Sequence, residues 1–446
     1  MKRWSFVIVA LLVIILPQLF VGSTIFARII SIAGICLVLW LSEVVPPFVP
    51  TLLLWAFIPV FLAPLDSKFA FSNVFSWAAD PVLPLFFGGF ALGVAAEKSG
   101  LGKRVTESAF RLSGNSYPTF LFIVIFVTAF FSMWISNIAA AALVLACLEP
   151  ILSGFDENHL LRRTLLIGVA LGADFGGMAT PIGTGPNAIA IASISDSQPV
   201  SFVSWMAFAF PLTIGMLALC FLLLTWRVRR SDSGWKNVSS INAENEKSPN
   251  KGSSFTGFLF VMIGTVSLWL TEPFHKIPSA VIALGSAATL FLSRILSKKD
   301  LLRIDWSTLI LIAGGITLGR LLEQSALIKA FSDHVPFAHF DPTLTLFLLC
   351  FTSALLSALM SNTATVVLLV PLALALIPTP STAILVAISA SFGIPFIIST
   401  PPNAMAFGYG GLKFVDLFLP GFLLMILGCA IVSLTGKAVL NLAGIP

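Results

Sequence analysis

Four short polar strings interrupt otherwise apolar segments of this 446-residue chain. They are Ser136-Asn137-Ile138, Gly183-Thr184-Gly185-Pro186-Asn187, Ser361-Asn362-Thr363 and Ser399-Thr400-Pro401-Pro402-Asn403. Ser, Thr and Asn supply neutral hydroxyl and amide groups, while Gly and Pro break helices and leave main-chain amides or carbonyls unpaired. A helix N-terminus at such a break carries partial positive charge and suits an anion. Unwound carbonyls, hydroxyls and Asn oxygens are hard ligands of the kind a small cation such as sodium takes. Together they can hold an anion and its cations without a buried Lys or Arg. A single string of this kind has a plainer reading, close packing and hydrogen bonding between helices. Their occurrence as two pairs, each with a Pro-Asn break downstream of a Ser-Asn string, favours the ligand reading.

The elements that must position these strings are membrane helices. The chain is 57% hydrophobic and 10% charged, with forty Phe and ten Trp, whereas soluble domains carry about 25% charged residues. Apolar runs such as Phe202–Trp226 and Phe414–Leu434 reach the length of about 20 residues that a crossing needs. In such a chain the net charge of +5 reflects the positive-inside rule, not nucleic-acid binding. Five scattered cysteines without CxxC or His-rich spacing indicate neither a zinc site nor a disulfide framework. Lys2-Arg3 before an apolar run reads as an uncleaved first helix in preference to a signal peptide.

The stretch from Arg227 to Ser254 is polar and rich in Ser and Asn, a composition that makes a linker and no core. It separates two hydrophobic halves that resemble each other in order. Leu39-Trp40-Leu41-Ser42-Glu43 matches Leu268-Trp269-Leu270-Thr271-Glu272, and Gly88-Gly89 with Gly93 matches Gly314-Gly315 with Gly319. Ser132 with Ser136-Asn137 matches Ser357 with Ser361-Asn362, and Asn187 matches Asn403. Ordered matches of this kind argue for duplication. With the linker inside, the basic loops at Lys98–Arg111, Arg162-Arg163 and Arg294–Arg303 also fall inside, as does the N-terminus.

The expected architecture is an all-α polytopic membrane protein of about 11 transmembrane helices and two re-entrant hairpins, built as two inverted-topology repeats with broken helices. The expected boundaries are a leading helix over 1–25, a first repeat over 26–226 with its hairpin at 118–152, a cytoplasmic linker over 227–254, and a second repeat over 255–446 with its hairpin at 342–376.

The paired Ser-Asn strings and the Thr-Pro-Pro-Asn break resemble the divalent anion/sodium symporters, a family of sodium-coupled dicarboxylate, citrate and sulfate carriers. The resemblance runs from about Phe26 to the end of the chain. It implies a first sodium site of Ser132, Ser136, Asn137 and the Gly183 carbonyl, and a second of Ser357, Met360, Asn362 and Ser399. It further implies an anion between the hairpin tips, near Asn137, Thr184, Pro186, Asn362, Thr363, Thr400 and Pro401. Sodium ions would be co-transported, and a homodimer in the cell (inner) membrane would carry C4-dicarboxylate or citrate by an elevator-like alternation.

Three departures bear on the substrate. Ile138 stands where the family has Thr, and Gly185 where Pro is usual. Asp174 lies in a segment expected within the membrane, where an acid is a functional hypothesis by default. A coupling role and neutralisation of a nearby base are its two functional readings. Arg320, in the second half, reads as a snorkelling side chain. An exchanger of the same fold and a carrier of sulfate or another inorganic anion are the alternatives to symport. An enzyme would instead show clustered catalytic groups on facing helices. The four His, at 159, 275, 334 and 339, fall near expected loops, so no catalytic residue is assigned.

Overall fold

The computed structural model describes residues 17, 24–42, 44–112, 116–195, 198–228, 253–325 and 341–445. Apart from a few end residues, the expected leading helix and linker lie outside these, as do Glu43, His334 and His339. The described residues form helices and no strand, as an apolar chain must when its backbone groups have only one another as partners.

In the first half, α1 (Ile25–Ser42), α2 (Val49–Leu62), short α3 (Phe71–Trp77), α4 (Val82–Ser99) and α5 (Leu101–Arg111) precede a pair of helices. That pair is α6 (Tyr117–Ser132) and α7 (Asn137–Leu152). Next come α8 (Leu160–Gly176) and α9 (Gly185–Ile194), interrupted by the Gly/Pro string, and α10 (Phe202–Val228). The second half runs through α11 (Ser253–Leu270), α12 (Glu272–His275), α13 (Ser279–Leu292), α14 (Lys298–Leu301) and α15 (Trp306–Gln324). It then repeats the pair as α16 (Pro342–Leu359) and α17 (Asn362–Leu376). The second interruption falls between α18 (Pro380–Ala390) and α19 (Pro401–Gly408), followed by α20 (Phe414–Leu442). Among the described residues, α4, α10, α15, α16 and α20 are long and apolar enough to cross a bilayer by themselves.

The halves pack reciprocally. First-half α4 packs on second-half α13, and second-half α15 packs on first-half α2. Both contacts need glycine. A Cβ at Gly88 would sit 2.5 Å from the Ala283 carbonyl oxygen, and one at Gly314 would meet the Thr51 side chain even more closely. The contact is sealed by Thr51, which donates to the Ile310 carbonyl at 3.0 Å, and by Trp55, which donates to Thr317 Oγ1 at 3.0 Å. These four helices and α1 form one packed group, to which the linking ion pairs Lys98–Asp300 (2.6 Å) and Arg303–Glu97 (2.7 Å) belong. The Lys98 ammonium and the hydroxyl and amide of Ser297 hold the Asp300 carboxyl well below the usual carboxylate range.

A second group gathers the interrupted helices. Here α9 packs on α17 and α18 of the other half, and α19 packs on α7 and α8. Its ends are tied by charge. Arg163 pairs with Asp416 at 2.9 Å, and Arg227 grips the other oxygen of the same carboxylate. Arg162 donates to the carbonyls of Tyr409 and Gly410 at 2.5 and 2.6 Å. Arg320 is half-buried and pairs with Glu323 at 3.4 Å. The five cysteines are unpaired.

Candidate anion and cation site

Each hairpin tip is built by a helix stopping where its next residues prefer to cap another. α6 ends at Ser132, and Ser136, in extended conformation at φ −60°, ψ 147°, caps α7 by accepting the Ala139 N–H. Ser and Asn favour such positions because their side chains satisfy backbone donors the helix leaves over. In the second half α16 ends at Leu359, Met360 is extended, and Ser361 precedes α17.

The two tips share one internal contact. Ser132 Oγ lies 2.8 Å from Asn137 Oδ1, and Ser357 Oγ lies 2.7 Å from Asn362 Oδ1. Ser132 Oγ is also 2.6 Å from the Ala173 carbonyl on α8. A serine hydroxyl has one proton to give, so Ser132 can satisfy only one of its two acceptors, Asn137 Oδ1 or the Ala173 carbonyl. A small cation is the chemistry that such an oxygen cluster suits.

The interruptions fold back against the tips. α8 stops at Gly176, and Thr180 donates to the Met133 carbonyl at 2.5 Å. Asn187 Nδ2 donates to the carbonyls of Gly177 and Thr180, and Asn403 Nδ2 donates likewise to Ile394 and Phe396. Both asparagines keep a buried Oδ1 without a partner. A Cβ at Gly183 would lie 2.4 Å from the Gly177 carbonyl, and one at Gly177 would lie 2.6 Å from Asn137 Oδ1. Ser132, Asn137 and Gly183 are therefore brought together through Gly177. Ser136 is exposed and engaged as a cap.

In the second half Ser357, Asn362 and Ser399 converge, since Ser399 Oγ donates to the Ala358 carbonyl at 3.0 Å. Met360 stands at the break itself, with φ −144° and ψ −180°. Asn187, Asn403 and Thr180 were not among the residues expected at the site. The signal for the two asparagines was the Pro-Asn pair that ends both interruptions, whereas Thr180 lies outside every polar string singled out in the sequence.

The residues expected around the anion lie across the seam between halves. Thr363, at the second tip, presses on Gly185 of the first interruption, where a Cβ would sit 2.5 Å from Thr363 Oγ1. Gly185 is thus a point of close approach, which explains why proline is absent there. Thr184 caps α9 in extended conformation without using its side chain, and Pro186 is buried just behind it. Thr400 caps α19, accepting the Asn403 N–H at 3.3 Å and donating to Asp174 Oδ2 at 3.0 Å. Asn137, Asn362 and Thr363 are half-buried and Pro401 is exposed. No basic side chain contacts Asp174 among the described residues, so neutralisation of a nearby base does not describe it. A cavity of about 480 Å³ opens beside the first tip, lined by Ile135, Ala139, Glu97 and Lys103 among others.

A family model described as "Citrate transporter" (CitMHS) matches residues 37–381 and again 268–444. The chain belongs to the citrate transporter family. It is an integral membrane transporter and not an enzyme. An uncharacterised transporter of Haemophilus influenzae is 30% identical over 424 residues, covering 90% of this chain and 88% of that protein. The Na(+)/citrate cotransporter of Mus musculus is 24% identical, covering 97% and 95%. The inorganic phosphate transporter PHO87 of Saccharomyces cerevisiae is 29% identical over 68% of this chain and 33% of its own length. Among solved structures, the YdaH transporter of Alcanivorax borkumensis superposes with a TM-score of 0.60 at 15% identity, covering 90% of this chain and all of that one. That likeness shows that this family member shares its fold with a solved transporter.

Proposed function

We propose that this transporter carries small divalent anions, C4-dicarboxylates or citrate, in symport with sodium. The observation that carries the reading is the matched Ser–Asn contact at both tips, 2.8 and 2.7 Å, where neutral oxygens gather without a fixed cation. Sodium ions at Ser132, Ser136, Asn137 and Gly183, and at Ser357, Met360, Asn362 and Ser399, supply the positive charge that draws the anion. The anion then lies between the tips, against Asn137, Thr184, Asn362, Thr363, Thr400 and the amide ends of α9 and α19. Names of relatives such as the mouse Na(+)/citrate cotransporter favour the same cargo.

The reciprocal packing of the halves supports inverted repeats, with α6–α7 and α16–α17 as re-entrant hairpins. The group of interrupted helices would move as one body against the group holding α2, α4, α13 and α15, in an elevator-like alternation. A homodimer in the cell (inner) membrane with its N-terminus cytoplasmic completes the reading. The PHO87 match and the missing hydroxyl at Ile138 favour an inorganic anion as the second reading.

Uptake of labelled succinate, citrate and phosphate into proteoliposomes tests this directly. Succinate or citrate accumulation driven by an inward sodium gradient is expected. Sodium-independent uptake that requires internal anion would establish exchange instead. A second result follows from Ile138, which is 49% exposed at the first tip. Ile138→Thr adds a donor beside the anion, and hydrogen bonds to charged groups contribute about 1.5–3 kcal/mol. The KM for succinate is expected to fall at least about tenfold; an unchanged KM would place residue 138 away from the anion.

A further inference from the structure

We propose that Trp134, Phe202 and Trp269 form an aromatic gate, closed in this structure, at the membrane end remote from the basic loops. Leu359 and Phe414 are its counterpart in the other half, and they close on the end of α1 at the basic-loop face when the first gate opens. The proposal rests on the reading of the fold as inverted repeats that alternate.

The stack bridges the two packed groups. α10, which begins at Phe202, packs on α6, α8 and α20, while α11, which carries Trp269, packs on α13 and α4. The Phe202 and Trp269 rings stack with centroids 4.4 Å apart and planes within 10°. Trp134, at the first hairpin tip, continues the stack on Phe202 at 6.4 Å and 12°. Phe202 and Trp269 are fully buried. Between Trp134, Ile182 and helices α4 and α11 a gap of only about 10 Å³ remains, barely the room one water needs. No dicarboxylate passes there. Stacked rings bury a large area with few hydrogen bonds to break, which suits a contact that must form and release. The Trp134 indole N–H is buried without an acceptor, a cost that opening relieves. Glu272 adds a polar clasp, its Oε2 accepting the Phe202 N–H at 3.2 Å.

The seal and the cavity lie at opposite ends. α10 runs for 27 residues, about 40 Å, and at its far end Arg227 meets Asp416, which also pairs with Arg163 of a basic loop. The cavity beside the first tip is lined by Glu97 and Lys103. Glu97 pairs with Arg303, so that cavity belongs to the basic-loop end. One end of the path is closed by rings while the other is open.

The second half holds the same parts in another arrangement. Phe414-Val415 matches Phe202-Val203, and Leu359 follows Ser357 by two residues as Trp134 follows Ser132. Trp40 matches Trp269 and is seated like it, each indole N–H donating to a carbonyl near the start of α2 or α13. The acceptors are Pro47 at 2.8 Å and Ser279 at 3.0 Å. Yet among the described residues no ring stacks on Trp40. It is buried by other packing, with α17 of the second hairpin lying on α1. Phe414 is 48% exposed and Leu359 59%. Phe414 stacks within its own group, on Phe418 at 5.1 Å. The start of α20 is likewise capped from within, the Lys413 N–H donating to Asp416 at 2.9 Å, where α10 uses Glu272 of the other group. Alternation between inverted repeats gives each half, in the opposite state, the arrangement the other has now. The motion that carries α17 along α1 also brings Phe414 to it.

The test links neighbours of the rings and leaves the rings in place. Ser201→Cys/Thr271→Cys reports the first gate, and Ser42→Cys/Lys413→Cys the second. Each full-length variant, in proteoliposomes with sodium and succinate, is treated with a short, reducible bis-thiosulfonate reagent. Links are read by mass spectrometry, and uptake is compared with wild type treated alike. Both pairs are expected to link, and each link to stop uptake until it is reduced. A protein carrying both pairs should form either link but never both in one molecule. Phe202→Ala added to that protein should raise the second link relative to the first at least about twofold, the loss of one aromatic pair. Phe202→Leu serves where the alanine variant does not fold. Absence of either link in a protein with normal uptake overturns the proposal and leaves the carrier reading intact, as do both links in one molecule. A ratio unchanged by the Phe202 variants also overturns it, because the rings would then not be the gate. Failure of the unmodified protein to take up succinate, citrate or phosphate overturns the proposed function and this proposal with it.

Discussion

Asn362→Ala is expected to cut sodium-driven anion uptake about 10- to 100-fold while leaving the protein folded. Asn362 opens α17, and its Oδ1 takes the Ser357 hydroxyl at 2.7 Å. Alanine removes an oxygen of the proposed second sodium site and strands the Ser357 donor in the same step. Hydrogen bonds to charged groups contribute about 1.5–3 kcal/mol each, which sets the range. Helix packing changes little, because Asn362 is half-buried at the tip and its neighbours Ala364 and Val366 carry the contacts behind it. The measurement is initial uptake rate against sodium concentration, with elution volume and helical content as the folding check. A half-saturating sodium concentration shifted upward is the expected signature. Wild-type uptake at every sodium concentration would remove the second tip from the mechanism. Asn137→Ala, its counterpart with the Ser132 contact of 2.8 Å, should show the same signature.

The largest effect on stability is expected from Gly176→Ala. A Cβ there would lie 2.4 Å from the Ala129 carbonyl oxygen and 2.6 Å from the Ala129 Cα. Both are backbone atoms of α6, so no side chain can rotate away and the two helices must separate. Overpacking of this kind costs typically about 1–3 kcal/mol and occasionally more. Its counterpart, Gly393→Ala, meets the Ala354 carbonyl and the Ala358 nitrogen, each at 2.7 Å. Thermal unfolding in detergent should show both variants melting several degrees below wild type. Gly215→Ala is the control: a Cβ on α10 meets nothing within 4 Å. Alanine is the better helix former by about 1 kcal/mol, so this variant should melt at or above wild type. Equal midpoints for Gly176→Ala and Gly215→Ala would mean that α6 and α8 do not approach as closely as described.

An all-helical membrane fold was legible from residue types alone, and the paired Ser-Asn strings with the Thr-Pro-Pro-Asn break carried a resemblance to the divalent anion/sodium symporters that the citrate transporter family match bears out. Hydropathy reports the solvent around a segment, and in lipid the backbone has few ways to satisfy itself. The polar strings were legible for the same reason: Ser132, Asn137, Ser357 and Asn362 stand out because hydrogen-bonding groups are costly in an apolar surrounding. Less legible was how far apart the parts lie. On a continuous helix the nine residues from Asp174 to Gly183 would span about 13 Å. The helix instead ends at Gly176, and the chain returns Gly183 to the side of Gly177.

By itself, then, the sequence determined the solvent, the helices, the two matched sets of polar strings and the family. Tertiary structure decided which string meets which. Thr363 of the second tip lies on Gly185 of the first interruption, and Thr400 of the second interruption reaches Asp174 in the first half. These contacts join residues far apart in the chain, and they arise because α9 and α19 each pack on helices of the opposite half. A local pattern records what a residue needs from its surroundings. It does not record which distant segment supplies it, because that choice is made by close packing across the seam.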